Sequence, residues 1–209
     1  FSALAIALFN VFCKRAPARK LEYANCIEAF SLAYQCTGEL DFIYFAKTLT
    51  EKVVEEFQHP QSKLCYFTAQ DTQLVSRNME LNDNVIPASN SVMAHAFLTM
   101  GQYFQHAEWM ASAKQMLANL YDGMESYGSG YSNWGLLLLR FLEPEEQWHV
   151  LNKSASLAVF KATTAKNCLL SYHDELPISK GYTQDKISVC VHGACFAPVD
   201  KIEEALACS

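Results

Sequence analysis

Apolar positions recur at helical spacing through the first two thirds of the chain. Residues 22 to 36 carry Tyr23, Ile27, Phe30 and Tyr34 on one stripe, the three-and-four spacing that places side chains on one face of a helix. Gly38 follows as a C-terminal stop. Residues 41 to 57 repeat the pattern with Phe42, Phe45, Leu49, Val53 and Phe57, begin with Asp41 near the positive helix end, and stop before His59-Pro60. The two segments predict a helical hairpin. Lys63 to Thr68 is aromatic and lacks a helical period, so it predicts an extended excursion.

A polar passage containing Asp83, Asn84 and Pro87 comes next. Beyond it, Val92, Ala96, Met100 and Tyr103 predict a helix from Asn90 to Phe104, with Ser89 as its N-cap. Met110, Ala113, Leu117 and Leu120 predict another from His106 to Tyr121, and Gly128-Ser129-Gly130 leads into a third from Trp134 to Leu142. The apolar run Phe1 to Cys13 reads as the truncated start of a further helix. It stops at Lys14-Arg15, short of the roughly 20 residues that span a bilayer, and no basic leader marks it as a signal peptide. Residues 1–143 thus predict about six helices, joined in sequence as antiparallel neighbours.

The pattern changes at Glu143-Pro144-Glu145-Glu146. Trp148 to Leu151 reads as a strand, Ala155 to Ala165 as a short helix and Cys168 to Tyr172 as a second strand. Ile187 to Val191 and Ala194 to Ala197 flank His192-Gly193, a pair suited to a two-residue hairpin turn. Asp200 opens a terminal helix through Leu206. Residues 144–209 therefore predict a small α/β tail.

Composition narrows the classes of function. Hydrophobic residues make up 51% and charged residues 18% of the 209 positions, a globular balance. Sixteen Lys and Arg stand against 22 Asp and Glu, a net charge of -6, and the basic residues are scattered. That excludes the basic stripe of a nucleic-acid reader. Cys13, Cys26 and Cys36, among the eight cysteines, fall in helix-like segments where thiols act as small apolar groups, which favours a reducing, cytoplasmic setting over a disulfide framework. No Gly-rich phosphate loop, nucleophile elbow or paired metal-binding His motif is present, and no cofactor is implied.

Three groups of residues carry candidate chemistry. Arg77, Glu80 and Asp83 precede the helix start at Ser89, Asn90 and Ser91, so charges and hydrogen-bond donors converge where helices open at one face. Glu80 and Asp83 could act as acid and base, and Arg77 could hold an anionic substituent. The competing reading is structural: an ion pair for Arg77, a cap at Ser89 and a turn at Asn84. Tyr23 and Trp134 could stack on a ring of the ligand or pack in the core. His95 could shuttle protons or serve as a structural histidine.

In the tail, Cys190 and Cys195 fall opposite each other if His192-Gly193 is a two-residue turn. They would form a non-hydrogen-bonded pair with Cα atoms about 4.5 Å apart, open either to a reversible disulfide or to two packed thiols. Zinc lacks a fourth ligand there, and no metal site is expected.

The passage Arg77-Asn78-Met79-Glu80-Leu81-Asn82-Asp83-Asn84-Val85-Ile86-Pro87-Ala88-Ser89-Asn90-Ser91, within residues 74–94, resembles the thioredoxin-domain-containing family that includes spermatogenesis-associated protein 20 and its bacterial relatives. Glu22-Tyr23-Ala24, Tyr131-Ser132-Asn133-Trp134 and Val189-Cys190 with Cys195 and Pro198-Val199 agree in the same order. The resemblance implies an upstream thioredoxin-like domain and an (α/α)6 toroid related to N-acylglucosamine 2-epimerases and six-hairpin glycosidases. This chain would supply about three hairpins of that toroid and the α/β tail. In such a toroid the cavity would bind a carbohydrate-like small molecule, for which Arg77, Glu80, Asp83, Ser89, Asn90, Ser91, Tyr23 and Trp134 are the candidate site residues. The alternative is a non-catalytic scaffold for the upstream redox domain. A half-ring would also leave apolar helix faces uncovered.

Overall fold

The computed structural model describes residues 20–69, 78–182 and 185–208. The chain is mainly helical, with a small four-stranded mixed sheet. Helix α1, Lys20–Thr37, and helix α2, Leu40–Phe57, form the expected hairpin. Its turn closes at Gly38, whose φ of 68° suits a residue without a Cβ and whose N–H reaches the Tyr34 carbonyl at 2.7 Å. Tyr23, Ile27, Phe30 and Tyr34 of α1 and Phe42, Leu49, Val53 and Phe57 of α2 are buried as the spacing marks, whereas Phe45 is half-buried and Ile43 is buried outside the marked stripe. The excursion after α2 runs back along its end: Cys65 bridges Gln58, and the Tyr66 N–H donates to the Phe57 carbonyl.

Helix α3, Ser89–Phe104, is the central element, with Met93, Ala94, Phe97, Met100 and Tyr103 fully buried. Helix α4, Ala107–Ala118, follows after a left-handed Gln105. The expected single helix to Tyr121 is divided, because the chain breaks at Asn119-Leu120 and resumes as the short α5, Tyr121–Ser126. Helix α6, Ser132–Leu142, buries Trp134 and Leu137 and exposes Leu136, Leu139 and Leu142. The opening run Phe1 to Cys13 lies outside the described residues. No helix among the described residues is long and apolar enough to cross a membrane.

The tail begins where the composition changes. Strand β1, Glu146–Val150, is followed by helix α7, Ser156–Ala162, and by strand β2, Cys168–Ser171, which pairs with β1 in parallel. Strand β3, Ile187–Val191, pairs antiparallel with β1, and strand β4, Ala194–Cys195, with β3, giving the order β2-β1-β3-β4. Helix α8, Ile202–Cys208, starts two residues after the expected Asp200.

The two faces of the sheet differ. Trp148, Leu170 and Val189 stand side by side on one face and join the core shared with the helices. His149, Ser171 and Ser188 make a buried polar row on the other.

The helical part also occupies the free edge of β2. Leu170 donates its N–H to Gln35 Oε1 at 3.3 Å and accepts from the Tyr103 hydroxyl at 2.9 Å, while the Tyr172 N–H donates to Tyr34 Oη at 2.9 Å. Helix side chains thereby satisfy edge groups that would otherwise invite another strand. Burial raises the Tyr34 phenol to about 12 and pushes Tyr103 well above the usual range, so both stay protonated.

Candidate functional site

The polar passage before α3 forms a closed knot. Asp83 is 5% exposed. Its Oδ1 accepts from the Ala88 N–H at 2.7 Å and the Ser91 hydroxyl at 2.8 Å, and its Oδ2 accepts from the Asn133 N–H at 2.9 Å. Glu80 Oε2 accepts from the Ser89 N–H at 3.0 Å. Two carboxylates thus satisfy orphan N–H groups at the positive end of α3.

This corrects the expected cap. Ser89 is the first helical residue, Ala88 holds the cap position, and the buried Ser89 hydroxyl has no hydrogen-bond partner among the described residues. Charged acceptors form stronger bonds to backbone N–H groups than a hydroxyl does, and the preceding loop delivers them.

Asn90 fastens the knot to the excursion after α2. Its Oδ1 accepts from the Cys65 N–H, and its Nδ2 donates to the carbonyls of Cys65 and Glu80. Asn133 Nδ2 donates to Ser91 Oγ, and Trp134 Nε1 donates to the Leu81 carbonyl at 2.8 Å. The structure therefore gathers Glu80, Asp83, Ser89, Asn90, Ser91 and Trp134 into one network. Tyr23 packs apart from it, against Phe57 with Lys52 over its ring. Arg77 lies outside the described residues.

The open site lies further along α3. A cavity of about 390 Å³ is enclosed by α1, α3, α6 and the start of β2, within the size range of small-molecule pockets. Val92, His95, Ala96 and Thr99 line it from α3, Glu28, Ser31, Leu32 and Gln35 from α1, and Asn133, Leu136 and Arg140 from α6, each set at helical spacing. Glu145 and Leu169 close it from the tail.

Arg140 organises this wall. Its Nη2 pairs with Glu145 Oε2 at 2.9 Å and donates to Thr99 Oγ1 at 2.9 Å, and its Nη1 lies 3.0 Å from His95 Nδ1. Because a guanidinium only donates, His95 Nδ1 accepts, and Nε2–H donates to the Asn133 carbonyl at 2.9 Å. Burial lowers the His95 pKa and the Arg140 charge lowers it further, so the imidazole is neutral. Arg140 Nε has no hydrogen-bond partner among the described residues.

Of the residues predicted from sequence, His95 lines the cavity, whereas Glu80, Asp83, Ser89, Asn90, Ser91 and Trp134 belong to the knot and not to its lining; Asn133 bridges the two regions. Sequence reasoning missed Arg140, Glu145, Thr99 and Gln35. One signal was present: Arg140 is the only charge in the otherwise apolar run from Trp134 to Leu142.

In the tail, His192 and Gly193 have φ of 50° and 80°, the left-handed pair that a tight hairpin turn requires. Val191 faces Ala194, Cys190 faces Cys195, and the two cysteines are joined in a disulfide with Cα atoms 3.9 Å apart. The Phe196 N–H donates to the Val189 carbonyl, so the cysteines occupy the expected non-hydrogen-bonded position. The helix cysteines Cys26 and Cys36 are half-buried, less enclosed than expected, whereas Cys65 is buried; Cys13 lies outside the described residues. No group of three His, Cys, Asp or Glu suited to a metal ion occurs among the described residues.

No protein-family model matches the chain, and no curated protein sequence matches it.

Proposed function

We propose that the chain binds a neutral, hydroxyl-rich small molecule of monosaccharide size in the cavity walled by α1, α3 and α6. The Arg140–Glu145–Thr99–His95 array facing the cavity carries this reading. Arg140 already neutralises Glu145, and Glu28 adds an acid at the wall, so among the described residues an anionic ligand meets no uncompensated cation. Hydroxyls can donate to the carboxylates and to Gln35 and accept from Arg140, while Leu32, Val92 and Leu136 offer apolar contact to a ring. The fold context we propose is three hairpins of an (α/α)6 toroid, as the resemblance implies.

Calorimetric titration against neutral sugars and sugar acids tests the reading. Binding of at least one neutral sugar is expected, with affinity reduced about tenfold or more in Arg140→Gln. A panel without binding, or selection of the acids, would overturn it.

One observation favours the second reading, a non-catalytic scaffold for an upstream thioredoxin-like domain. Glu80 and Asp83 both spend carboxylate oxygens on backbone N–H groups, which suits architecture better than proton transfer.

A further inference from the structure

The Cys190–Cys195 disulfide is asymmetric. Cys190 lies in β3 and is 5% exposed, whereas Cys195 is exposed on β4 next to the turn. Tyr182 Oη lies 3.2 Å from Cys190 Sγ and 3.4 Å from Cys195 Sγ. Disulfide sulfurs carry no proton, so the phenol is the donor in both contacts. The Tyr182 ring stacks on buried His149 at 3.8 Å between centroids, and His149 Nδ1 is 3.1 Å from Ser179 Oγ. A hydroxyl donor is thus held by a packed platform against one buried and one accessible sulfur.

We propose that this disulfide is a thiol–disulfide exchange site, with Cys195 the sulfur that an incoming thiolate attacks and Cys190 the leaving sulfur that Tyr182 stabilises. The attacking thiolate forms a bond to Cys195 Sγ, the Cys190–Cys195 bond breaks, and its electron pair stays on Cys190 Sγ as a thiolate accepting the Tyr182 hydrogen bond. A second thiolate then attacks the sulfur of the first reagent molecule, forming its disulfide and releasing Cys195 as a thiolate. Two thiols are oxidised to one disulfide, the protein pair is reduced to two thiols, and the protons of the reagent thiols balance the two cysteines. The co-reactant class is an aliphatic thiol. Attack on the exposed sulfur follows from access, and departure of Cys190 from stabilisation of the leaving group, both of which govern exchange rates.

The direction of attack is directly readable. Oxidised protein is mixed anaerobically with glutathione, quenched in acid at early times and alkylated with N-ethylmaleimide, and the 187–201 peptide, which holds both cysteines, is sequenced by tandem mass spectrometry. Glutathione should sit on Cys195 and maleimide on Cys190. The reverse or an even partition would overturn the proposal, as would no reaction under conditions that reduce the same disulfide in the unfolded peptide. Tyr182→Phe should slow the first step about tenfold with an unchanged circular dichroism spectrum, and an unchanged rate would remove Tyr182 from the site. Cys190→Ala and Cys195→Ala provide an independent measurement with glutathione disulfide: Cys195 alone should react and Cys190 alone should stay reduced, and equal reactivity would refute the asymmetry.

Discussion

Helix α3 is tied to α6 at two places, and the two ties are built differently. At its N-terminus, Asp83 accepts three hydrogen bonds inside a closed knot whose Ser91 is fully buried. Two turns further on, Arg140 ties Thr99, His95 and Glu145 together along the wall of a cavity. Asn133 belongs to both, donating to Asp83 and Ser91 and accepting from His95. Water cannot replace a lost partner in the knot, but it can enter the wall. The same kinds of groups should therefore contribute mainly to stability at one tie and mainly to ligand affinity at the other.

The largest expected effect is at the knot. Asp83→Ala leaves the Ala88 and Asn133 N–H groups without their acceptor, while the Ser91 hydroxyl keeps the Ala88 carbonyl, and each buried unsatisfied group costs about 1–3 kcal/mol. A loss of about 3 kcal/mol or more in urea unfolding is expected. A loss below about 1 kcal/mol would mean that the knot opens to water and that the contrast is false.

A buried polar group away from both ties gives the next effect. Burial lowers the His149 pKa to about 4 from an ordinary value near 6.5, so folding favours the neutral ring. The stabilisation is fully present above pH 6.5 and falls as acid charges the unfolded chain, with the loss complete near pH 4. About 2 kcal/mol should disappear between pH 7.5 and pH 5. His149→Phe should flatten that part of the stability profile, and a variant that keeps the slope would assign it to other groups.

Arg140→Met sharpens the contrast from the cavity side. It removes the Arg140 partner of Glu145 Oε2, yet that carboxylate borders a cavity into which water can move. Stability should fall by about 1–2 kcal/mol, less than for Asp83→Ala, while sugar affinity is lost. A larger stability loss than at Asp83 would invert the comparison.

The difference between the ties also explains what the sequence disclosed. The stripes of α1, α2 and α3 were legible because burial follows the helical period, with Ile27, Leu49 and Met100 inside. The Cys190–Cys195 register was legible because a two-residue turn fixes its flanking pairs. The knot stood out because its polar residues crowd into one passage. What that crowding could not disclose was where their lone pairs point, and Asp83 turns inward to the start of α3. The cavity was illegible for the opposite reason: Gln35, Thr99 and the Arg140–Glu145 pair meet only after three separate segments have packed. The polar face of the sheet was hidden as well, since Ser171 and Ser188 in apolar strands read as interruptions until His149 lies between them.

The finest test compares two hydroxyls on one helix. Ser91 and Thr99 both lie on α3, eight residues apart, and each bonds a group reaching across from α6. Ser91→Ala deletes the acceptor of Asn133 Nδ2 and a donor to Asp83 inside the knot, and should cost about 1–3 kcal/mol. Thr99→Val keeps the shape but deletes the acceptor of Arg140 Nη2, which retains Glu145 and can take up water from the cavity. It should cost no more than about 1 kcal/mol. Unfolding both variants in urea under one condition gives the ratio directly. If Thr99→Val costs as much as Ser91→Ala, the cavity wall is as dry as the knot, and its polar groups serve the fold before they serve a ligand.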